Sequence, residues 1–341
     1  MPAPHVWESW PTSRVLELRL CDLNLRIEGT WLEECLLRLY DELDARGIRL
    51  RPTAWLGDEW YSPSTSLGFS IPFFLAHPRL MRIERSQILE VEGGTQAECL
   101  RIMRHETGHV VQHAYGLNRR RRWQKLFGKS SIRYPTHYRP NPISKKYVQH
   151  LRLWYAQAHP DEDFAETFAV WLRPRLNWRV RYEGWPALAK LEYVDEIISE
   201  LASSPLVVRA RAHVDPISTQ RTTLREYYER KRAHYLVSYP DVYDRDLRRL
   251  FAHDARGPRV ETAAAFLRRN RRWIRQTVSK ATGEYELALD HVLSDMIGRC
   301  RELRLVAVGD RRKLRVDFAV ALTVHTMHAL YSESRRSWFA L

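Results

Sequence analysis

The period of the hydrophobic positions changes several times along the first half of the chain. Residues 14–27 alternate in part and end at Gly29, which predicts extended structure. Leu32, Cys35, Leu36, Leu39, Tyr40 and Leu43 then recur at helical spacing, predicting a helix over 31–45 that stops before Gly47. Alternation returns over 48–56. Residues 68–74 and 81–91 read as further strands, with turn signals at Pro78 and Gly93-Gly94. Thr95 and Glu98 form a T-x-x-E capping box that opens the next helix. Its stripe runs through Ala97, Leu100, Met103, Thr107, Val110, Val111 and Ala114, and Gly116 is its stop. Residues 117–150 are irregular and rich in Pro, Tyr and basic side chains; a loop of that length in a compact domain is usually functional or mobile. A second acidic-then-apolar helix follows, with Asp161 as the expected N-cap and Pro174 as the stop. Beyond a helix over 185–201 and a connector over 203–219, strand signals fade. Residues 222–235, 241–251, 260–279, 284–303 and 313–331 all follow helical spacing. The expected organisation is an N-terminal α/β part over 1–94, active-site helices and a basic loop over 95–204, and an all-α C-terminal domain over 205–341.

The chemistry concentrates at His105-Glu106-Thr107-Gly108-His109, an H-E-x-x-H string inside the capped helix. Positions i and i+4 share a helix face, so both imidazoles can reach one metal ion. Zinc accepts such nitrogen ligands and keeps a position open when the protein supplies only three. Glu106 then stands where the general base for an attacking water must stand. Gly108 costs about 1 kcal/mol relative to Ala inside a helix, so a packing or access reason is expected for it. Two His still lack a third protein ligand and acceptors for their other ring nitrogens. Glu162 and Glu166, at i and i+4 on the later helix, can supply both, one carboxylate to the metal and one to an imidazole.

H-E-x-x-H followed by a helix bearing E-x-x-x-[DE] resembles the gluzincin class of zincin metalloproteases. The longer string from Tyr155 to Ala169, Y-A-x-A-H-P-x-E-D-F-A-E-T-F-A, is similar to a bacterial family of zinc-binding metallopeptidases. The similarity extends over roughly the first two hundred residues, through W-L-x-D-E-W-Y-S-P at 55–63 and F-F-L-A-H-P-R-L-M-R-I-E-R at 73–85. The resemblance implies an α+β, zincin-like domain ahead of the all-α domain and one Zn2+ ion. It implies Glu162 as third ligand beside His105 and His109, and Glu166 as the partner that orients His105. Related peptidases place a tyrosine seven residues before the ligand Glu, where it stabilises the oxyanion; Tyr155 holds that offset. His113, at i+4 from His109, is a weaker ligand candidate than Glu162, whose helix has the right composition. His159 either lines the cleft or shapes the turn before its helix, and the His325/His328 pair has no acidic or Cys partner near it in sequence.

Composition narrows the classes further. An apolar content of 44% in 341 residues supports folded domains, and two of them by length. No run is long enough to span a membrane, no signal-peptide pattern opens the chain, and Cys21, Cys35, Cys99 and Cys300 are scattered. A cytoplasmic protein is expected. Phosphate-loop, dinucleotide and serine-hydrolase motifs do not occur. The net charge of +14 is uneven: no Asp or Glu occurs between Glu106 and Asp161, a stretch that holds Arg119, Arg120, Arg121 and Arg122. Those four arginines are candidates for steering an acidic peptide or protein substrate. A second basic run, Arg268, Arg269, Arg271, Arg272 and Arg275, reads as a solvated helix face. The leading function is zinc-dependent hydrolysis of a peptide or related amide bond. The alternative is a non-hydrolytic, zinc-containing binding or regulatory protein whose basic surface holds an acidic protein or nucleic acid.

Overall fold

The computed structural model describes residues 5–135, 138, 140–201, 204–235, 243–253 and 261–331. The chain divides into two compact units, with the change falling near residue 228. Residues 205–228 therefore complete the first unit instead of opening the second. Leu67 N–H donates to the Ala210 carbonyl and Trp55 Nε1–H to that of Val214, while Cys21 and Leu20 donate to Gln220 and Thr222. These bonds hold the connector along the first unit.

The first unit is α+β with a small sheet. Residues 14–27, expected to be extended, instead form one helical turn, α1 (Thr12–Val15), and a 3-10 turn (Leu20–Leu23). Val15, Leu20, Leu23 and Ile27 are the buried positions, a spacing no strand can present to one side. Helix α2 (Trp31–Asp44) follows, capped by Thr30, with Leu32, Cys35, Leu36, Leu39 and Leu43 buried. The sheet is a single parallel pair, β1 (Thr53–Gly57) beside β2 (Gly68–Pro72), with Trp55 opposite Ser70. The expected strand over 81–91 is a helix, α3 (Pro78–Ile88). Proline at the first helical position presets the backbone there, and Leu80, Ile83 and Ile88 bury one helical face.

Three helices form the heart of the unit. Helix α4 (Gln96–Tyr115) starts at Thr95, whose side chain accepts from Glu98 N–H, and ends at Gly116 in the left-handed conformation. Arg104 on α4 clamps Glu42 on α2 through two bonds of 2.6 and 2.7 Å, both groups largely shielded from water. After a short helix, α5 (Arg121–Phe127), comes α6 (Pro160–Leu172), in which every residue from Asp161 to Leu172 is buried. A single turn, α7 (Trp178–Arg181), leads to α8 (Leu188–Leu201). Asp163 on α6 meets Lys190 on α8 at 2.6 Å, and Lys190 also donates to the Lys146 carbonyl at 2.7 Å. Burial outweighs the Lys190 ammonium and pushes Asp163 up to about 7.

Gly108 explains how α4 and α6 come together. A Cβ there would stand 2.7 Å from Ala165 Cα, 3.0 Å from Ala165 O and 3.2 Å from Phe168 Cβ. Two of these neighbours are backbone and cannot swing away. The lost helix propensity thus permits a close crossing of the two helices that carry the acidic and imidazole groups. Gly108→Ala is expected to lower stability by about 1–3 kcal/mol through overpacking, despite its better helix propensity. Thermal melts decide it, and a variant that melts higher than the wild type would mean the crossing is not tight.

The second unit contains most of α9 (Leu224–Tyr235), then α10 (Asp244–Leu250), β3 (Ala252–His253), α11 (Ala263–Thr282), α12 (Glu286–Glu302), β4 (Leu305–Val306) and α13 (Arg311–Tyr331). Strands β3 and β4 form one short antiparallel pair. The core is made by Leu247, Phe251, Phe266, Leu267, Ile274, Leu293, Met296, Phe318 and Leu322. Residues 241–242 and 260, where two helices were expected to begin, lie outside the described residues. The arginine run on α11 is largely paired: Arg271 with Asp290, Arg275 with Glu286 and Asp290, and Arg269 with Glu261. His325 bonds Asp246 at 2.7 Å, and the His328 side chain lies outside the described residues. Among the described residues, no helix is long and apolar enough to cross a membrane.

Candidate metal centre

The i, i+4 spacing on α4 brings the rings of His105 and His109 edge to face, with centroids 4.8 Å apart and the two Nε2 atoms 3.2 Å apart. Glu162, on the first turn of α6, places Oε2 3.0 Å from His105 Nε2 and 3.2 Å from His109 Nε2. All three residues are buried. Around tetrahedral zinc with ligands at about 2.0–2.2 Å, neighbouring donor atoms stand about 3.3–3.6 Å apart. The observed triangle is slightly tighter than that and needs little adjustment to close on one ion. No other group of His, Cys, Asp and Glu among the described residues has this geometry.

Electrostatics support the same use. Burial works against a charged His105, but hydrogen bonds to Glu162 and Glu166 outweigh it and hold the ring's pKa well above its ordinary value. His109 is raised likewise, burial being overcome by Glu162. Burial would raise Glu162, yet His109 and His105 hold it well below the usual carboxylate range. Three ionisable groups thus converge in a buried space and need shared protons to coexist. A cation replaces those protons directly, which is how ligand deprotonation couples to metal uptake.

Surrounding groups fix the cluster in place. His105 Nδ1–H donates to Glu166 Oε1 at 2.8 Å, and Leu151 N–H donates to Glu166 Oε2 at 2.8 Å. That leaves His105 Nε2 as the nitrogen facing Glu162 and His109. Glu106, between the two His, is buried at 6% exposure. Burial raises its pKa against the pull of His105 and His109, with Glu162 and Glu92 adding to the rise. A carboxylate lifted toward neutrality is a better proton acceptor than an exposed one. His113 stays outside the triangle. Its ring stacks on His109 at 6.3 Å, its Nδ1 lacks a hydrogen-bond partner, and burial depresses it to about 4.

The start of α6 differs from the expected one. His159, not Asp161, is the N-cap: Asp161 N–H donates to His159 Nδ1 at 3.1 Å. Pro160 takes the first helical position, where its missing N–H costs nothing, so the cap falls one residue before it. The Tyr155 ring packs beside His105, centroids 5.6 Å apart, and burial raises its pKa well above the ordinary phenol value. Leu153 and Trp154, just before it, both lie in the left-handed region at φ 60° and 53°. Such residues cost about 1–3 kcal/mol each and persist where the surroundings demand them. Here they turn the chain so that Tyr155 faces His105.

Two of the four arginines proposed for steering are paired and the other two are exposed. Arg120 pairs with Glu200 and Arg122 with Glu196, both partners on α8, and Arg122 also lies over the Tyr193 ring. Arg119 and Arg121 are exposed. One group that sequence reasoning missed touches the site: Tyr134 donates its hydroxyl to Glu162 Oε1 at 3.0 Å. It reaches Glu162 from an irregular segment with no periodicity, and no motif marks it.

Residues 96–176 match the model of a family described as "Putative zinc-binding metallo-peptidase". The matched stretch opens at the first residue of α4 and ends just beyond α6, so it spans the whole His105, His109 and Glu162 cluster. No curated protein and no solved structure matches the chain.

Proposed function

We propose that the protein is a zinc-dependent peptidase that hydrolyses a peptide or related amide bond. The observation that carries this reading is a buried Glu106 lying between the two His of a buried His105, His109 and Glu162 cluster. The donor set suits one zinc ion with a position left open. Zinc, when bound, supplies Lewis acidity toward the scissile carbonyl and acidifies a water. Glu106 accepts the proton of the attacking water and passes it to the leaving amine. Glu166 holds His105 in the tautomer that leaves Nε2 for the ion. A non-hydrolytic binding protein has the same use for the ligands but none for a buried base beside them.

Tyr155 is the candidate donor to the developing oxyanion, supported by its place against His105. Tyr155→Phe is expected to lower kcat by about 10²–10³-fold with zinc content unchanged, the usual loss for one such donor. Unchanged kcat would remove Tyr155 from the chemistry.

The reading is tested by incubating wild-type and Glu106→Gln protein with a native cell lysate and comparing peptide termini by mass spectrometry. New termini made by the wild type alone support it and define the cleaved sequence. Identical termini in both samples, from zinc-loaded protein, would sink it.

A further inference from the structure

The segment that follows α5 is moulded onto the first turn of α6 at four successive points. Gly128, at φ 110°, lies so close to Pro160 that a Cβ would stand 3.2 Å from Pro160 Cγ. Ser130 Oγ–H donates to Asp161 Oδ2 at 2.9 Å and accepts from Asn118 Nδ2 at 3.1 Å. His159 Nε2–H donates to the Ile132 carbonyl at 3.0 Å. The Tyr134 ring then stacks on the His159 ring, centroids 3.7 Å apart and planes 13° from parallel. This strap ends with the Tyr134 hydroxyl on Glu162 Oε1, while the other oxygen, Oε2, is the one that faces both imidazoles.

From this division of the two oxygens we infer that Tyr134 is a positioning residue that makes Glu162 a one-oxygen metal ligand. A carboxylate free to rotate can offer both oxygens to an ion and crowd the position that a reaction needs open. A phenol bonded to Oε1 satisfies that oxygen and fixes the plane of the carboxylate, so only Oε2 points at the His pair. His159 serves two ends of one device. It caps α6, which carries Glu162, and it supports the ring and the Ile132 carbonyl that present the Tyr134 hydroxyl. Tyr134 is 42% exposed, so the strap delivers a surface residue to a buried ligand. The inference rests on the metal reading of the cluster and adds a residue outside the helices that carry the ligands.

The test compares zinc affinity, by competition with a chromophoric chelator, for wild type, Tyr134→Phe and Ser130→Ala. Melting of each metal-free protein is measured alongside. Tyr134→Phe keeps the ring on His159 and removes only the hydroxyl. It is expected to melt like wild type without metal and to bind zinc about 10–100-fold more weakly, as losses of groups behind a ligand do. Ser130→Ala removes one bond of the strap and leaves the phenol and its stack on His159, so its zinc affinity should stay close to wild type. Equal zinc affinity in Tyr134→Phe and wild type overturns the inference alone. So does an equal loss in Ser130→Ala and Tyr134→Phe, which would assign the effect to the strap as a whole. A wild-type chain that takes up no zinc overturns the metal reading and this inference with it.

Discussion

Glu106→Gln protein is expected to lose turnover by about 10²–10⁴-fold, the range that a positioned acid–base group contributes. Its zinc content should not change. The amide has the shape of the carboxylate but cannot take a proton, and Glu106 contributes no atom to the His105, His109 and Glu162 triangle. On the proposed reading Glu106 acts on the proton in flight, and burial raises its pKa against the pull of His105 and His109. The effect should therefore fall on kcat more than on KM. Steady-state rates on a peptide cleaved by the wild type, with zinc measured on the same samples, give the answer. A variant with near-wild-type kcat would move the base elsewhere.

Glu162→Ala should lose most of its zinc, whereas Glu166→Ala should weaken binding by only about 10–100-fold. The ranking follows from where the oxygens point. Glu162 Oε2 lies within 3.2 Å of both imidazole Nε2 atoms, while Glu166 meets His105 at Nδ1, on the far side of that ring, and turns its other oxygen to Leu151 N–H. Removing Glu162 leaves only the two imidazoles to hold an ion; His105 keeps Glu166, but His109 loses the carboxylate it pairs with. Removing Glu166 leaves three ligands, one of them free to tilt. Zinc titrations of both variants separate the cases, and the reverse order would make Glu166 the metal's carboxylate.

The elements that carry this chemistry were legible because they are helices with explicit ends. Thr95 with Glu98 marks the start of α4 and Gly116 its stop, and both features occur where the spacing puts them. Gly108 was legible as a position needing a reason, though only the crossing with Ala165 supplies the reason. The N-terminal strands were misread because short apolar runs fit two periods. Leu80, Ile83 and Ile88 make a helical face that a local reading of alternation does not separate from a strand. The α/β layer expected there shrinks to the pair β1 and β2. Tyr134 was illegible for a different reason. Its place on Glu162 depends on the path of an irregular segment over His159, Pro160 and Asp161, contacts that no spacing within one element encodes. The pairing within the basic stretch was illegible in a related way, since the acids that meet Arg120 and Arg122 come from α8, far along the chain.

X-ray absorption spectroscopy on zinc-loaded, dialysed protein, combined with elemental analysis, tests the metal centre most directly. One zinc per chain is expected, with two imidazole nitrogens and oxygen donors at about 2.0–2.2 Å and no sulfur shell at about 2.3 Å. The imidazole signal should vanish in a His105→Ala/His109→Ala double variant. A sulfur shell, a shell of oxygens alone, or a spectrum unchanged in the double variant would contradict the assignment of the ion to His105, His109 and Glu162.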